Sequence, residues 1–236
     1  MFHRQTIAKE SGMYLKLVYH DVWPPAQRHR FEEASKPMVS AAEDSGLRLV
    51  GAWVPIVGML GRMVEVWAAT DAVAMENAEK SLRSNPCWRD YQEAVDRYVG
   101  QSTTYYLRPA PISPDAAPDH EYPAHKSGIW LHAVIDLHRD AVNKFYELLE
   151  PAKALAAQKG RILEGAWHPI NTQSRILTLW WFEDEMTWAR SIGGLKRSHF
   201  NEVRQEIQDL SIARANLCLV SPASYSRDYV PIVSEQ

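Results

Sequence analysis

Two histidines and two glutamates stand where strand periodicity could aim ionisable groups at one ligand. His132 falls between Trp130 and Val134 in an aromatic, β-branched run. Burial there either tunes an imidazole for proton transfer or leaves it a satisfied core residue. In the run Leu163-Glu164-Gly165-Ala166-Trp167-His168, strand alternation puts Glu164, Ala166 and His168 on one face and Leu163, Gly165 and Trp167 on the other. Glu164 and His168 are then roughly 13 Å apart, too far to bond each other but able to address opposite ends of one ligand. His132 with His168 is the leading acid/base pair. Glu65 shares a face with Met63 and Trp67, with Val64 and Val66 opposite. It is either catalytic or paired with Arg62, Arg175 or a tyrosine hydroxyl. Arg62 and Arg175 are anion ligands or structural clamps, and Tyr19, Tyr105 and Tyr106 can orient a phenol or carbonyl. Of nine tryptophans, Trp53, Trp67, Trp130, Trp167 and Trp180 are candidates to line an apolar cavity.

The elements that must position these groups come in two sets. Gly46-Leu47-Arg48-Leu49-Val50-Gly51-Ala52-Trp53-Val54-Pro55-Ile56 returns as Gly160-Arg161-Ile162-Leu163-Glu164-Gly165-Ala166-Trp167-His168-Pro169-Ile170, an offset of 114 residues. Arg62 matches Arg175, Trp67 matches Trp180 and Pro109 matches Pro222 once one loop residue is dropped. The sequence is internally duplicated. Glu65 matches Thr178, so this acid is not part of the repeated scaffold.

In the first copy we expect strands at 14–20, 48–54, 62–69 and 103–107, with helices at 26–44, 72–82 and 88–98. Pro37 threatens to kink or split the first helix, Gly46 suits its left-handed stop, and Asp71 suits the next N-cap. The second copy repeats the order: strands at 129–135, 162–168, 176–181 and 216–220, helices at 141–158, 184–190 and 198–210. Each copy reads β-α-β-β-α-β, the ferredoxin-like order. The expected fold class is α+β, with ferredoxin-like modules at 13–109 and 128–222 and a Pro-rich linker at 110–127. Each module leaves one sheet face bare, so the two antiparallel sheets should face each other and close an intrachain pseudo-dimeric α+β barrel.

Composition narrows the partners. A formal charge of -3 gives no footing for nucleic acid or an anionic membrane. No run is long and apolar enough for a membrane span, and no leader is legible, so a cytoplasmic location is expected. Cys87 and Cys218 fall at unmatched points, which fits a reducing compartment rather than a disulfide framework. No HExxH, GxGxxG, P-loop or GxSxG occurs. His125, His132 and His138 do not bring three ligands together on one element, although the linker pair His120 and His125 could hold a metal adventitiously.

Several of these features together resemble the NIPSNAP-type domain of the dimeric α+β barrel superfamily. They are YLKLVYHDV and GIWLHAVIDL, the strands GAWVPI and GAWHPI, an arginine opening the next strand with a tryptophan within it, and NPCWRDYQEAV, where Asn85 replaces the usual acid. The counterpart SHFNEVRQEI lacks the proline and tryptophan. The resemblance implies a barrel of two facing sheets and a superfamily that spans cofactor-free monooxygenases, cyclases, isomerases, dehalogenating enzymes and haem proteins. It does not transfer a reaction. The expectation is a small-molecule enzyme without an organic cofactor or metal. It would do acid/base chemistry on a hydrophobic, aromatic or polyketide-like ligand, as isomerase, cyclase, lyase or cofactor-free monooxygenase. One alternative is a non-catalytic binding or assembly protein, with the polar groups paired off. Another is a haem protein, for which His199 is the one candidate ligand. Homo-oligomerisation stays open because outer faces can pair.

Overall fold

Alternation and punctuation set the elements. The structure, a computed structural model of the chain, describes residues 13–114, 128–172, 174–193 and 199–226. The first half runs β1 (Tyr14–Val22), α1 (Arg28–Asp44), β2 (Arg48–Val57), β3 (Arg62–Ala69), α2 (Ala72–Arg83), α3 (Pro86–Tyr98) and β4 (Val99–Pro109). The second runs β5 (Ile129–Asp136), α4 (Val142–Ala157), β6 (Arg161–Pro169), β7 (Arg175–Phe182), α5 (Glu185–Gly193), α6 (His199–Asp209) and β8 (Asn216–Pro222).

The expected signals act as read. Gly46 takes φ +98° and ends α1, a backbone conformation that disfavours any residue with a Cβ. The Asp71 carboxylate accepts from the Ala74 N–H at 2.8 Å and caps α2. Asn85 does the same for α3 through the Cys87 N–H, with Pro86 in the first turn. Pro37 does not divide α1, which runs unbroken past it. β1 and β4 are longer than expected, and their extra residues, Asp21, Val22 and 99–102, form one end of the barrel wall.

The eight strands form one closed antiparallel barrel in the order β1-β3-β2-β8-β5-β7-β6-β4. Two seams join the halves. Trp53 to Val57 of β2 pair with β8, and Leu107 to Pro109 of β4 pair with β6. Closure removes the bare sheet edges that would otherwise template aggregation. Inside the barrel, Leu15, Leu17, Val64, Val66, Trp53, Trp130 and Trp167 form one core. On the outside, α1 to α3 cover the first half over Phe31, Met63, Trp67 and Met75. The second-half helices cover Phe145, Ile176, Trp180 and Phe182. No helix among the described residues is long and apolar enough to cross a membrane.

The segments after β4 and β8 change sides. Ala110 and Ile112 are buried in the second-half helical core, whereas Ala223 and Tyr225 are buried in the first-half one. The crossings match each other. The Ala166 N–H donates to Ser113 Oγ at 2.7 Å, and the Ala52 N–H donates to Ser226 Oγ at 3.1 Å. Residues 110–113, expected in the linker, are thus packed. His120 and His125 lie outside the described residues.

Candidate functional site

β3 carries two sets of side chains on opposite faces, as its sequence predicts. Val64 and Val66 enter the barrel, and Met63, Glu65 and Trp67 face the helices. Glu65 is 1% exposed. Tyr225 Oη donates to its Oε1 at 2.5 Å and Trp67 Nε1–H to its Oε2 at 3.0 Å. His20, on neighbouring β1, brings Nε2 to 3.8 Å from the same Oε2. Burial alone would raise the Glu65 pKa, but His20, Tyr225 and Trp67 outweigh it and hold the carboxyl below its ordinary value. A charged carboxylate is thereby kept at a buried position. The expected alternative partners were Arg62, Arg175 or a tyrosine hydroxyl, and the tyrosine hydroxyl is what the fold supplies.

His20 links this carboxylate to the surface. Its Nε2 lies 3.0 Å from Tyr91 Oη and its Nδ1 lies 2.8 Å from Ser102 Oγ on β4. Burial, and next the Glu65 charge, push the phenols of Tyr91 and Tyr225 well above their ordinary values, so both stay protonated donors. A cavity of about 220 Å³ lies along this group, between β1, β3 and β4 on one side and α1, α2 and α3 on the other. Val18, Met38, Leu47, Trp67, Leu82 and Trp88 give it apolar walls. Exposed Ser102, Thr104 and Arg83, with the Lys16–Glu79 ion pair at 2.7 Å, lie toward its solvent side.

The second half has the same frame without the chemistry. Trp180 Nε1–H donates to Thr178 Oγ1 at 3.1 Å, as Trp67 does to Glu65. By strand register Ile135 stands where His20 does, and Ile112 takes the place of Tyr225. Arg161 lies over the Trp180 ring, 4.1 Å from its centroid.

A second cavity, about 290 Å³, opens at one end of the barrel, on the opposite face of β1 and β3. His132 and Tyr19 meet there, with Nε2 and Oη 2.6 Å apart. The other ring nitrogen bonds the Thr178 backbone, so Nδ1–H donates to that carbonyl and Nε2 accepts the phenol proton. Burial pulls the His132 pKa down to about 4 and raises that of Tyr19, so both groups are neutral near pH 7. Arg62 and Arg175 line the same cavity, each held bidentate by an aspartate, Asp21 and Asp136. These pairs clamp neighbouring strands at matching register in the two halves, Asp21 opposite Arg62 and Asp136 opposite Arg175.

The expected pair of His132 and His168 does not form. His132 is inside the barrel, while His168 pairs across the seam with Arg108 on the outer face and lines neither cavity. Its pKa is lowered by partial burial and by Arg108. The face assignment fails for a local reason: a bulge between Leu163 and Gly165 inserts Glu164 as an extra residue. Leu163 and Ala166 therefore both face the helices, and Glu164 and His168 do not share a simple strand face. Trp53, Trp130 and Trp167 fill the barrel core, with Trp53 and Trp130 edge to face at 5.6 Å. Trp180 packs under the second helical layer. Of the five candidate tryptophans, Trp67 alone lines one of these two cavities. His20, Tyr91, Ser102 and Tyr225 are absent from the sequence-derived set. Alternation from Tyr19 puts His20 on the outward face, but its nearness to Glu65 depends on the β1–β3 register. His199 opens α6, and its side chain lies outside the described residues.

The class defined by this geometry is a closed antiparallel α+β barrel with helices on its outer surface and pockets on both faces of one sheet. Within that class, residues 21–114 match the NIPSNAP family. The fold is similar to that of a protein provisionally described as a monooxygenase from Lactobacillus acidophilus NCFM. The two share 10% identity and a TM-score of 0.66, over 90% of this chain and 95% of that one. An anthrone oxidase-like protein gives 10% identity and a TM-score of 0.65, over 94% and 95% of the two chains. A protein provisionally described as a chlorite dismutase gives 9% identity and 0.56, over 91% and 96%. At these identities the likeness is one of fold. No curated protein matches the chain.

Proposed function

We propose that the chain is a small-molecule enzyme performing acid/base chemistry on an apolar, aromatic compound in the helix-side cavity of its first half. The observation that carries this reading is Glu65: a carboxylate held in its charged form beside an imidazole, on the wall of an otherwise apolar cavity. Such a pair is costly to bury, and breaking it would leave an uncompensated charge. In this reading His20 removes a proton from the bound substrate, Glu65 stabilises the imidazolium that forms, and the Tyr91 hydroxyl donates to the developing oxyanion. Ser102 connects His20 to solvent for return of the proton.

Deprotonation is the step shared by isomerisation, cyclisation and direct reaction of a carbanion with dioxygen. The folds named as monooxygenase and anthrone oxidase-like make the last outcome the first to assay. Anthrone is the probe. Deuterium uptake at its methylene carbon under anaerobic conditions reads proton removal, and oxygen consumption with anthraquinone and water formed reads oxidation. His20→Ala or Glu65→Gln should slow exchange roughly a hundredfold or more in a folded protein. Binding of anthrone with neither exchange nor oxygen uptake above the uncatalysed rate would end the enzyme reading. A non-catalytic ligand-binding role would then stand, favoured by one observation: His20 and Glu65 both already have hydrogen-bond or ion-pair partners within the fold.

The same proposal extends to architecture. We read residues 13–109 and 128–222 as duplicated ferredoxin-like modules, one of which kept a polar pocket while the other filled it. Support comes from the repeated Gly-Ala-Trp-x-Pro frame, the repeated strand order, and the matched Asp–Arg pairs.

A further inference from the structure

The cavity at the barrel end takes no part in the reading above, and its lining has a distinct chemistry. Register places Tyr19 opposite Thr103 and Leu17 opposite Tyr105 in one half, and Val134 opposite Asn216 and His132 opposite Cys218 in the other. At the four matching positions the halves therefore differ: Tyr19 against Val134, Leu17 against His132, Tyr105 against Cys218, Thr103 against Asn216. A residue needed only to close the barrel would serve both halves alike, as the two Asp–Arg clamps do. All of these residues but Leu17 line this cavity, so its departures from symmetry stand beside those at His20 and Glu65 in the helix-side one.

Its donors suit an anion. The clamps engage Nε and Nη2 of both arginines, which leaves Nη1 of Arg62 unengaged by Asp21, while Nη1 of Arg175 donates to Tyr105 Oη at 3.3 Å. Tyr105 accepts that bond and keeps its own proton to donate. Arg214, exposed on the approach to β8, adds a third guanidinium to the lining. Asp21 and Asp136 balance Arg62 and Arg175, so Arg214 supplies the net positive charge of the lining. Deeper in, Val64, Val134 and Leu177 form an apolar wall.

We propose that the barrel mouth is a second ligand site, which takes a small organic carboxylate. Its apolar body lies against Val64, Val134 and Leu177, and its charge lies toward Arg62, Arg214 and the Tyr105 hydroxyl. The site is separate from the helix-side cavity: Tyr19 and His20, and likewise Val64 and Glu65, are strand neighbours that face opposite ways. A cavity of this volume is at the small end for ligand pockets and has room for an aromatic or short-chain acid.

The test uses the full chain titrated with benzoate and hexanoate, and with benzamide and hexanamide as neutral isosteres, followed by backbone amide shifts in NMR. The acids should bind and shift Tyr19, Thr103, Tyr105 and Cys218, and the amides should bind roughly tenfold or more weakly. Tyr105→Phe removes one hydroxyl and Arg214→Gln one exposed charge. Each should weaken acid binding several-fold, and Glu65→Gln should leave it unchanged. No saturable shift by either acid up to about 10 mM would overturn the proposal. So would equal binding of acid and amide, or binding that Glu65→Gln abolishes and Tyr105→Phe spares. The last outcome would place the acids in the helix-side cavity. Failure here leaves the anthrone assay untouched, and the converse also holds.

Discussion

Glu65 and His132 are both buried, and their surroundings settle one charged and the other neutral. Glu65 has three neighbours that favour its anion, whereas His132 has burial against its cation and a phenol that donates to its lone pair. For His132 the folded pKa of about 4 lies below the unfolded value near 6.5. Between those values the unfolded chain binds the proton and the folded chain does not, so stability falls as pH drops through this window. The difference corresponds to about 3 kcal/mol at most, an order-of-magnitude figure. His132→Gln should flatten the stability profile between about pH 6.5 and 4, as read by urea unfolding. A variant whose profile keeps the wild-type slope there would show that His132 is not the group responsible. The sequence marks His132 and Glu65 as unusual because each interrupts an apolar strand face. It does not mark His20, since a histidine at the end of a strand beside an aspartate reads as surface until the neighbouring strand is in register.

At the scale of the element, the repeated Gly-x-Trp of β2 and β6 is a packing device. The indole of Trp167 folds back over Gly165 so closely that a Cβ would overlap its six-membered ring, and Trp53 does the same over Gly51. These rings are fully buried in the barrel core, so they cannot yield as a surface side chain would. Gly165→Ala should therefore cost roughly 1–3 kcal/mol in chemical unfolding. Adding Trp167→Leu, which removes the ring, should make the Gly165→Ala step far less costly than in the parent, a non-additivity expected of residues in contact. Strict additivity would mean that the ring is not what excludes the Cβ. That Gly165 and Trp167 share a strand face was legible from the motif alone. The facing of Glu164 and His168 was not. Period-2 alternation assumes one residue per step, and the bulge at Glu164 breaks that assumption; Gly165 beside it, like Gly51 beside the matching bulge in β2, marks the place but not which face each neighbour takes.

At the scale of the whole molecule, the halves are equivalent in frame and unequal in content, and the crossing tails show where the difference lies. The strand elements and the closing of two facing sheets were legible from the repeated Gly-Ala-Trp-x-Pro frame, whereas the aspartate partners of Arg62 and Arg175 were not. The tail exchange was not legible, because the segment after Pro109 has the Pro- and Ala-rich composition of a linker. It sets Tyr225 from the end of the chain against Glu65 of β3, and sets Ile112 at the equivalent place in the second half. The two positions should respond differently to acid. Tyr225→Phe removes the donor to Glu65 Oε1 and lets burial raise the folded pKa of the carboxyl. A depressed carboxylate pKa contributes stability above its unfolded value, near 4.3, and loses it as pH falls through the folded value. The penalty of Tyr225→Phe, about 1.5–3 kcal/mol at neutral pH, should therefore shrink as pH is lowered below 4. Ile112→Ala opens an apolar void, and its cost of about 2–5 kcal/mol should be the same at both pH values. Urea unfolding of both variants at pH 7 and pH 3.5 makes the comparison. Equal pH dependence in the two would mean that Tyr225 merely fills space, and the contrast between a charged group in one half and an apolar one at the matching place in the other would lose its energetic basis.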